Sequence, residues 1–260
     1  MLESTYYAII SVIIVSLISI IVAIPFLIKK KISNKTLLFL LSVSVGVLLS
    51  TVFINFLPEI FSSADGHNYS IVLPLLILFG FLVMFIIEKF VHFHHNKKCE
   101  DGHCGHGHAY NLAPINLIGD GIHNFIDGLV IAGAYAVSIT LGIATTISII
   151  FHEVPQEIAD MGVLLYSGMS KKKALYFNFL SAITAMIGTI VGIILLSKLT
   201  GFKEFIIPFA AGNFIYIAAS NLLPQLHRHC KLKESIIHLL AILIGIGIVV
   251  LVTLYAPHLH

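Results

Sequence analysis

Two short stretches of the chain concentrate the side chains that could do chemistry. The first reads GDGIHNFIDGLVIAG and holds Asp120, His123, Asn124 and Asp127; the second reads SIIFHEVPQEIADMGVLL and holds His152, Glu153, Gln156, Glu157 and Asp160. On a helix, His123 and Asp127 stand one turn apart on one face, with Asp120 a turn before them and Asn124 alongside. His152 and Gln156 share a face of the second stretch, and Glu153, Glu157 and Asp160 share the next. Two such helices packed together would surround one volume with imidazole nitrogen and carboxylate oxygen, the donors that a borderline divalent ion accepts. Imidazole binds a metal only when neutral and carboxylate only when ionised, so binding should weaken in acid. HEVPQE has the outline of the zinc-hydrolase motif HExxH, but Gln156 stands where the second His is needed, and no enzyme is expected.

The elements that carry these stretches must lie in lipid. Of the 260 residues 58% are hydrophobic and 11% charged, where soluble domains carry roughly 25% charged residues. Apolar runs at about 5–28, 36–60, 71–92, 113–137, 139–167, 172–197, 203–226 and 235–256 are each long enough for a bilayer core of about 30 Å. The expected fold is therefore an all-α membrane protein of eight transmembrane helices in one domain, 1–260, with the lipid bilayer as its solvent. The first run is too long for a signal-peptide core and is read as a span. Thirteen of the fifteen Lys and Arg fall in alternate connections, from Lys29–Lys35, Lys89–Lys98 and Lys171–Lys173 to Arg228–Lys233. Those connections are expected in the cytoplasm and both termini outside. The net charge of +2 gives no basic surface for nucleic acid, which is not expected as a partner.

A carboxylate in a membrane is costly unless it faces a partner, an ion or water. The two stretches contain no Lys or Arg, so a cation from outside the chain is the simplest counter-charge. Pro155 cannot donate to the Phe151 carbonyl and is expected to leave that oxygen available inside the cluster. FINFLPE, with Asn55, Pro58 and Glu59, matches ASNLLPQ, with Asn221, Pro224 and Gln225, although the two spans run in opposite directions. That points to an inverted repeat of spans one to three onto six to eight around a central pair, a 3+2+3 arrangement. Asn178 is a further buried polar candidate, and Gly188 with Gly192 gives span six a GxxxG packing face. Within the loop 93–110, His94, His95, His103, His106 and His108 accompany Cys99 and Cys104. This reads as a cytoplasmic His-rich tract and an accessory metal binder.

HNFIDG at 123–128 together with HEVPQE at 152–157 resembles the fourth- and fifth-helix metal motifs of the ZIP family of zinc and iron transporters. The second motif is similar to that of the subtype written HExPHE, and YFNFLSAITA and AGNFIYIAASNLLPQL resemble later helices of the family. The resemblance covers essentially the whole chain. It implies a binuclear site formed by His123, Asn124, Asp127, His152, Glu153 and Gln156. Asn55, Glu59, Glu157, Asn178 and Asn221, read from the polar positions of the spans themselves, are candidate accessory metal positions. The resemblance further implies movement of metal toward the cytoplasm. Homodimers are common in the family, and the cell membrane is the expected location. Zn2+ is the expected cargo, with Fe2+, Mn2+, Cd2+ or Co2+ as others. Gln156 departs from the subtype's second His, and Asn55 stands where the second helix often has His. A channel-like conductor and a metal sensor without flux are the alternative readings.

Overall fold

A computed structural model describes residues 2–27, 33–62, 71–100, 112–227 and 232–255, and among them only helices and short connections occur. Eight long helices follow in order: α1 Leu2–Leu27, α2 34–62, α3 Val72–Glu100, α4 Leu112–Val137, α5 Ile139–Tyr166, α6 Lys171–Lys198, α7 Phe202–Leu226 and α8 Leu232–Tyr255. They coincide with the eight expected spans, and α3 runs past its expected end. Six are long and apolar enough to cross a membrane. The two that fall short in apolarity are α4 and α5, which at 26 and 28 residues match the others in length. Their deficit comes from the acidic, His and amide side chains themselves. Burial is inverted relative to a soluble protein: Leu17, Ile21, Phe53, Leu78, Ile86, Ile190, Leu243 and Leu254 are exposed, whereas Asp120, His123, Asn124, Asp127, His152, Glu153 and Glu157 are buried. Lipid is the solvent that makes this arrangement favourable.

α4 and α5 form the centre. A single residue, Ser138, separates them in extended conformation, and its hydroxyl accepts from the Leu141 N–H at 3.1 Å to cap α5. So tight a turn forces the helices antiparallel and adjacent, which sets their polar faces against each other. α1 and α6 pack on one side of this pair; α2, α7 and α8 lie on the other.

Close helix crossings depend on glycine. A Cβ on Gly128 of α4 would meet the Ala185 carbonyl of α6, and one on Gly188 of α6 would meet the Phe125 carbonyl of α4. The expected packing face of α6 is thus the surface that holds α4. Gly46 of α2 and Gly245 of α8 make a second reciprocal pair against the Ile242 and Val43 carbonyls; Gly80 of α3 and Gly212 of α7 make a third against Phe209 and Ile77. Small residues let backbones approach where lipid offers no hydrophobic gain for helix association.

Both α2 and α7 widen into a π-helical turn, at Thr51–Phe56 and Ile217–Leu222. In each the next N–H, of Leu57 or Leu223, reaches five residues back, to the carbonyl of Val52 or Ala218. Pro58 and Pro224 follow directly. A proline ring does not fit the regular ladder, and the wider turn ahead of it absorbs the misfit. Gly46, Asn55 and Pro58 in α2 keep the same mutual spacing as Gly212, Asn221 and Pro224 in α7.

Candidate metal centre

α4 contributes His123 and Asp127, one turn apart, and α5 contributes the neighbours His152 and Glu153. One ligand atom from each lies within 4.8 Å of all the others, and all four residues are buried. His152 Nε2 is 3.0 Å from Asp127 Oδ2 and 3.3 Å from His123 Nε2; His123 Nε2 is 3.3 Å from Glu153 Oε1. His123 to Asp127 and His152 to Glu153 are each 3.8 Å. Zinc binds nitrogen and oxygen at about 2.0–2.2 Å in a tetrahedron, whose edges are then roughly 3.3–3.6 Å. These five separations straddle that edge, a spacing suited to one ion among the four side chains.

Supporting contacts aim the donors. The Ser148 carbonyl can only accept, so at 2.9 Å from His152 Nδ1 it must receive a proton from that nitrogen. In the neutral ring, Nε2 then turns its lone pair to the cluster. Both carboxylate oxygens of Glu153 are buried without a hydrogen-bond partner. The Asp127 and Glu153 carboxylates and the Nε2 lone pair of His152 thus converge on one volume, where a divalent cation would be shared by all of them.

Not every expected ligand joins the cluster. The Asn124 amide donates to Asp120 Oδ1 at 2.9 Å and to the Asp120 carbonyl at 3.2 Å, while Gln156 Nε2 donates to the same Oδ1 at 3.3 Å. Both amides are thus anchored a turn below the four ligands. Asn178 donates to the buried Glu157 carboxylate between α6 and α5. Asn55 accepts from the Thr253 hydroxyl of α8 at 3.0 Å, and Glu59 is half-buried near the end of α2. Asn221 lines the cavity below the site. His94, His95, His103, His106 and His108 lie outside the residues whose side chains are described.

The Phe151 carbonyl is not left available. α5 continues as a helix through Pro155, and the Ser44 hydroxyl of α2 donates to the freed oxygen at 2.5 Å. Spacing within α5 gives no hint of this, because the donor comes from another helix. Ser44→Ala should expose an unsatisfied buried carbonyl and lower stability by about 1–3 kcal/mol, read as a fall in melting temperature of the detergent-solubilised protein. Asn116, Ser148 and Thr51, whose hydroxyl lies 2.5 Å from that of Ser148, are not among the residues expected from the sequence. Asn116 and Ser148 each sit four residues before a polar residue already identified, Asp120 and His152, and helical spacing alone could have found them.

The two ends of the site differ. On one side the His152 ring meets Phe214 at 5.7 Å, Phe214 meets Phe56 at 5.4 Å, and buried Val52, Val130, Ala134 and Ile206 continue the seal. On the other a cavity of about 310 Å3 runs from His123 past Asp120, Gln156 and Asp160 to Glu88 of α3 and to Leu37 and Gln225, near the ends of α2 and α7 beside the basic connections.

A family model described as ZIP zinc transporter matches residues 2–111 and 96–253. The chain belongs to the ZIP family. Among its ZIP relatives, the human zinc transporter ZIP10 is 34% identical over 187 residues, covering 65% of this chain and 22% of that protein. The Drosophila melanogaster zinc transporter foi is 37% identical over 140 residues, 54% of this chain and 20% of that protein. The mouse metal cation symporter ZIP14 is 36% identical over 157 residues, 57% of this chain and 32% of that protein. The aligned regions thus span a third or less of these ZIP relatives' own lengths. Membership accords with an all-helical, multi-pass membrane protein whose central pair of helices carries buried metal-type donors.

Proposed function

We propose that this chain carries divalent metal, zinc foremost, across the cell membrane and into the cytoplasm by way of His123, Asp127, His152 and Glu153. The observation that carries the reading is the buried two-imidazole, two-carboxylate cluster at tetrahedral spacing, joined to a cavity on one side and sealed by aromatic packing on the other. Nitrogen and oxygen donors in equal number suit zinc and its transition-metal neighbours, with Fe2+, Mn2+, Cd2+ and Co2+ as competing cargoes; calcium and magnesium prefer oxygen alone. The names of the ZIP relatives, zinc transporters and a metal cation symporter, point the same way.

The open side supports the inward direction. The cavity faces the helix ends that join the basic connections, which the distribution of Lys and Arg assigns to the cytoplasm. The sealed aromatic side is then outward, and this conformation is the one that releases metal inward. Two halves that rock against the α4–α5 pair would open the other side. The shared π turns, prolines and reciprocal glycine crossings of α2 with α8 and α7 with α3 support such an inverted repeat. A continuous pore is disfavoured by the Phe56–Phe214 seal.

Purified protein in sealed liposomes should accumulate zinc against a zinc-free interior, and Fe2+ and Cd2+ should compete. No accumulation at any zinc concentration, with the protein folded and inserted, would exclude the transport reading. Sidedness has its own test. In a variant with its native cysteines replaced, Asn221→Cys should react with a membrane-impermeant thiol reagent applied to the basic-loop face and be at least about 10-fold slower from the opposite face. Equal rates from both faces would contradict the assigned closure.

A further inference from the structure

Below the four-ligand cluster, α4 and α5 keep facing each other, and because they are antiparallel their polar residues pair in descending rungs about one turn, ~5.4 Å, apart. On the first rung Gln156 Nε2 donates to Asp120 Oδ1 at 3.3 Å; on the next Asn116 Nδ2 donates to Asp160 Oδ1 at 3.0 Å. Asn124 adds a second donor to Asp120 Oδ1 at 2.9 Å. All the amide donors thus converge on the Oδ1 atoms. Oδ2 of Asp120 and Oδ2 of Asp160 are buried and have no hydrogen-bond partner. Asp120 is only 6% exposed, yet it borders the 310 Å3 cavity together with Asp160, Asn116, Gln156 and Glu88. Among the described residues no Lys or Arg lines that cavity. Two carboxylates that border a cavity without a cationic side chain, each with one buried oxygen lacking a hydrogen-bond partner, call for a positive charge supplied from outside the chain.

We propose that Asp120 and Asp160, with the side-chain carbonyl oxygens of Asn116 and Gln156, form a second divalent-cation site in this cavity. It lies one to two turns inward of the His123–Asp127–His152–Glu153 centre and has oxygen donors only. Oxygen donors bind zinc less tightly than a site containing two imidazoles. An ion leaving the centre therefore meets a weaker station nearer the basic-loop face, the order that lets it pass on rather than remain. The station's role as a relay rests on the transport reading; its ability to bind a cation does not.

Zinc binding by the purified full chain tests the site directly. The parent should bind two equivalents, one tight and one weak. Asp120→Asn with Asp160→Asn, which preserves shape and removes both charges, should lose the weak equivalent and keep the tight one. Conversely, His123→Ala with His152→Ala should lose the tight equivalent and keep the weak one. Zinc K-edge X-ray absorption of that second variant should show oxygen neighbours without imidazole scattering, and this result stands even if the Asp variant does not fold. Two equivalents in the folded Asp variant, or none in the folded His variant, would overturn the proposal. So would infrared spectra in which protonated-carboxyl bands assigned to Asp120 and Asp160 persist at saturating zinc, since the two groups would then be neutralised by protons. Failure of the transport reading is separable: the parent in liposomes would take up no zinc while still binding two equivalents.

Discussion

Replacing His123 and Asp127 together by Ala should abolish zinc uptake while leaving a folded, membrane-inserted protein. The two residues supply half of the four donors, and both come from α4, so the remaining pair on α5 cannot surround an ion. Loss of a single outer-shell partner costs roughly 10–100-fold in metal affinity, so loss of two direct donors should cost at least about 100-fold. The effect on stability has the opposite sense. Without metal, the parent holds the Asp127 and Glu153 carboxylates in one small buried cluster, and deleting one of two neighbouring carboxylates relieves repulsion. The metal-free variant should thus melt no lower than the metal-free parent. Zinc at 100 times the dissociation constant should stabilise the parent by about 2.7 kcal/mol and leave the variant unmoved. Uptake and melting curves measured on the same preparations check both parts. Retained uptake would move the cargo site elsewhere, and a melting temperature well below the parent's would show that the cluster holds the fold together without an ion.

Gly128→Leu should be the most damaging single substitution away from the ligands. Position 128 follows the ligand Asp127 directly, and even a Cβ there would meet the Ala185 carbonyl and crowd the Thr189 N–H of α6. Backbone cannot rotate aside as a side chain can, so α4 and α6 must separate along their whole crossing. Inserting bulk into a packed core costs about 1–3 kcal/mol, and more where backbone is the obstacle. Displacing α4 also pulls His123 and Asp127 away from His152 and Glu153, and shifts of 1 Å are enough to spoil a metal site. Reduced thermal stability and loss of zinc binding should therefore appear together. Gly162→Ala is the control: a Cβ there meets nothing within 4 Å, and replacing a helical Gly by Ala should stabilise by up to about 1 kcal/mol. If both substitutions behaved alike, helix crossing at Gly128 would not explain the result.

Much of the centre was legible because helical spacing is rigid. Once α4 and α5 are helices, His123 and Asp127 must share a face, and their polarity in an apolar chain demands a common buried volume. The amides beside the cluster show where spacing stops being informative. Asn124 and Gln156 sit at suitable positions, but an amide presents two donors as well as an acceptor, and Asp120 captures those donors. Asn55 has the right depth in its half of the chain yet faces Thr253 on α8. The Phe151 carbonyl follows the proline rule within α5, and Ser44 on α2 takes the oxygen up. In each case the deciding partner lies on a turn or helix that periodicity within one segment does not reach.

The sequence by itself determined that the chain is a bundle of long apolar helices, where they lie along the chain apart from the far end of α3, and which two carry the metal-type donors. These follow from local quantities: hydropathy over about 20 residues, the 3.6-residue period, and the cost of charge in lipid. Only the tertiary structure decided that His123, Asp127, His152 and Glu153 meet at one point, that one end of the site is sealed by Phe56 and Phe214, and that the other opens past Asp120 and Asp160. Those outcomes depend on distances between helices, set by which backbones glycine allows to touch, and such distances are a property of pairs of segments that no single segment encodes.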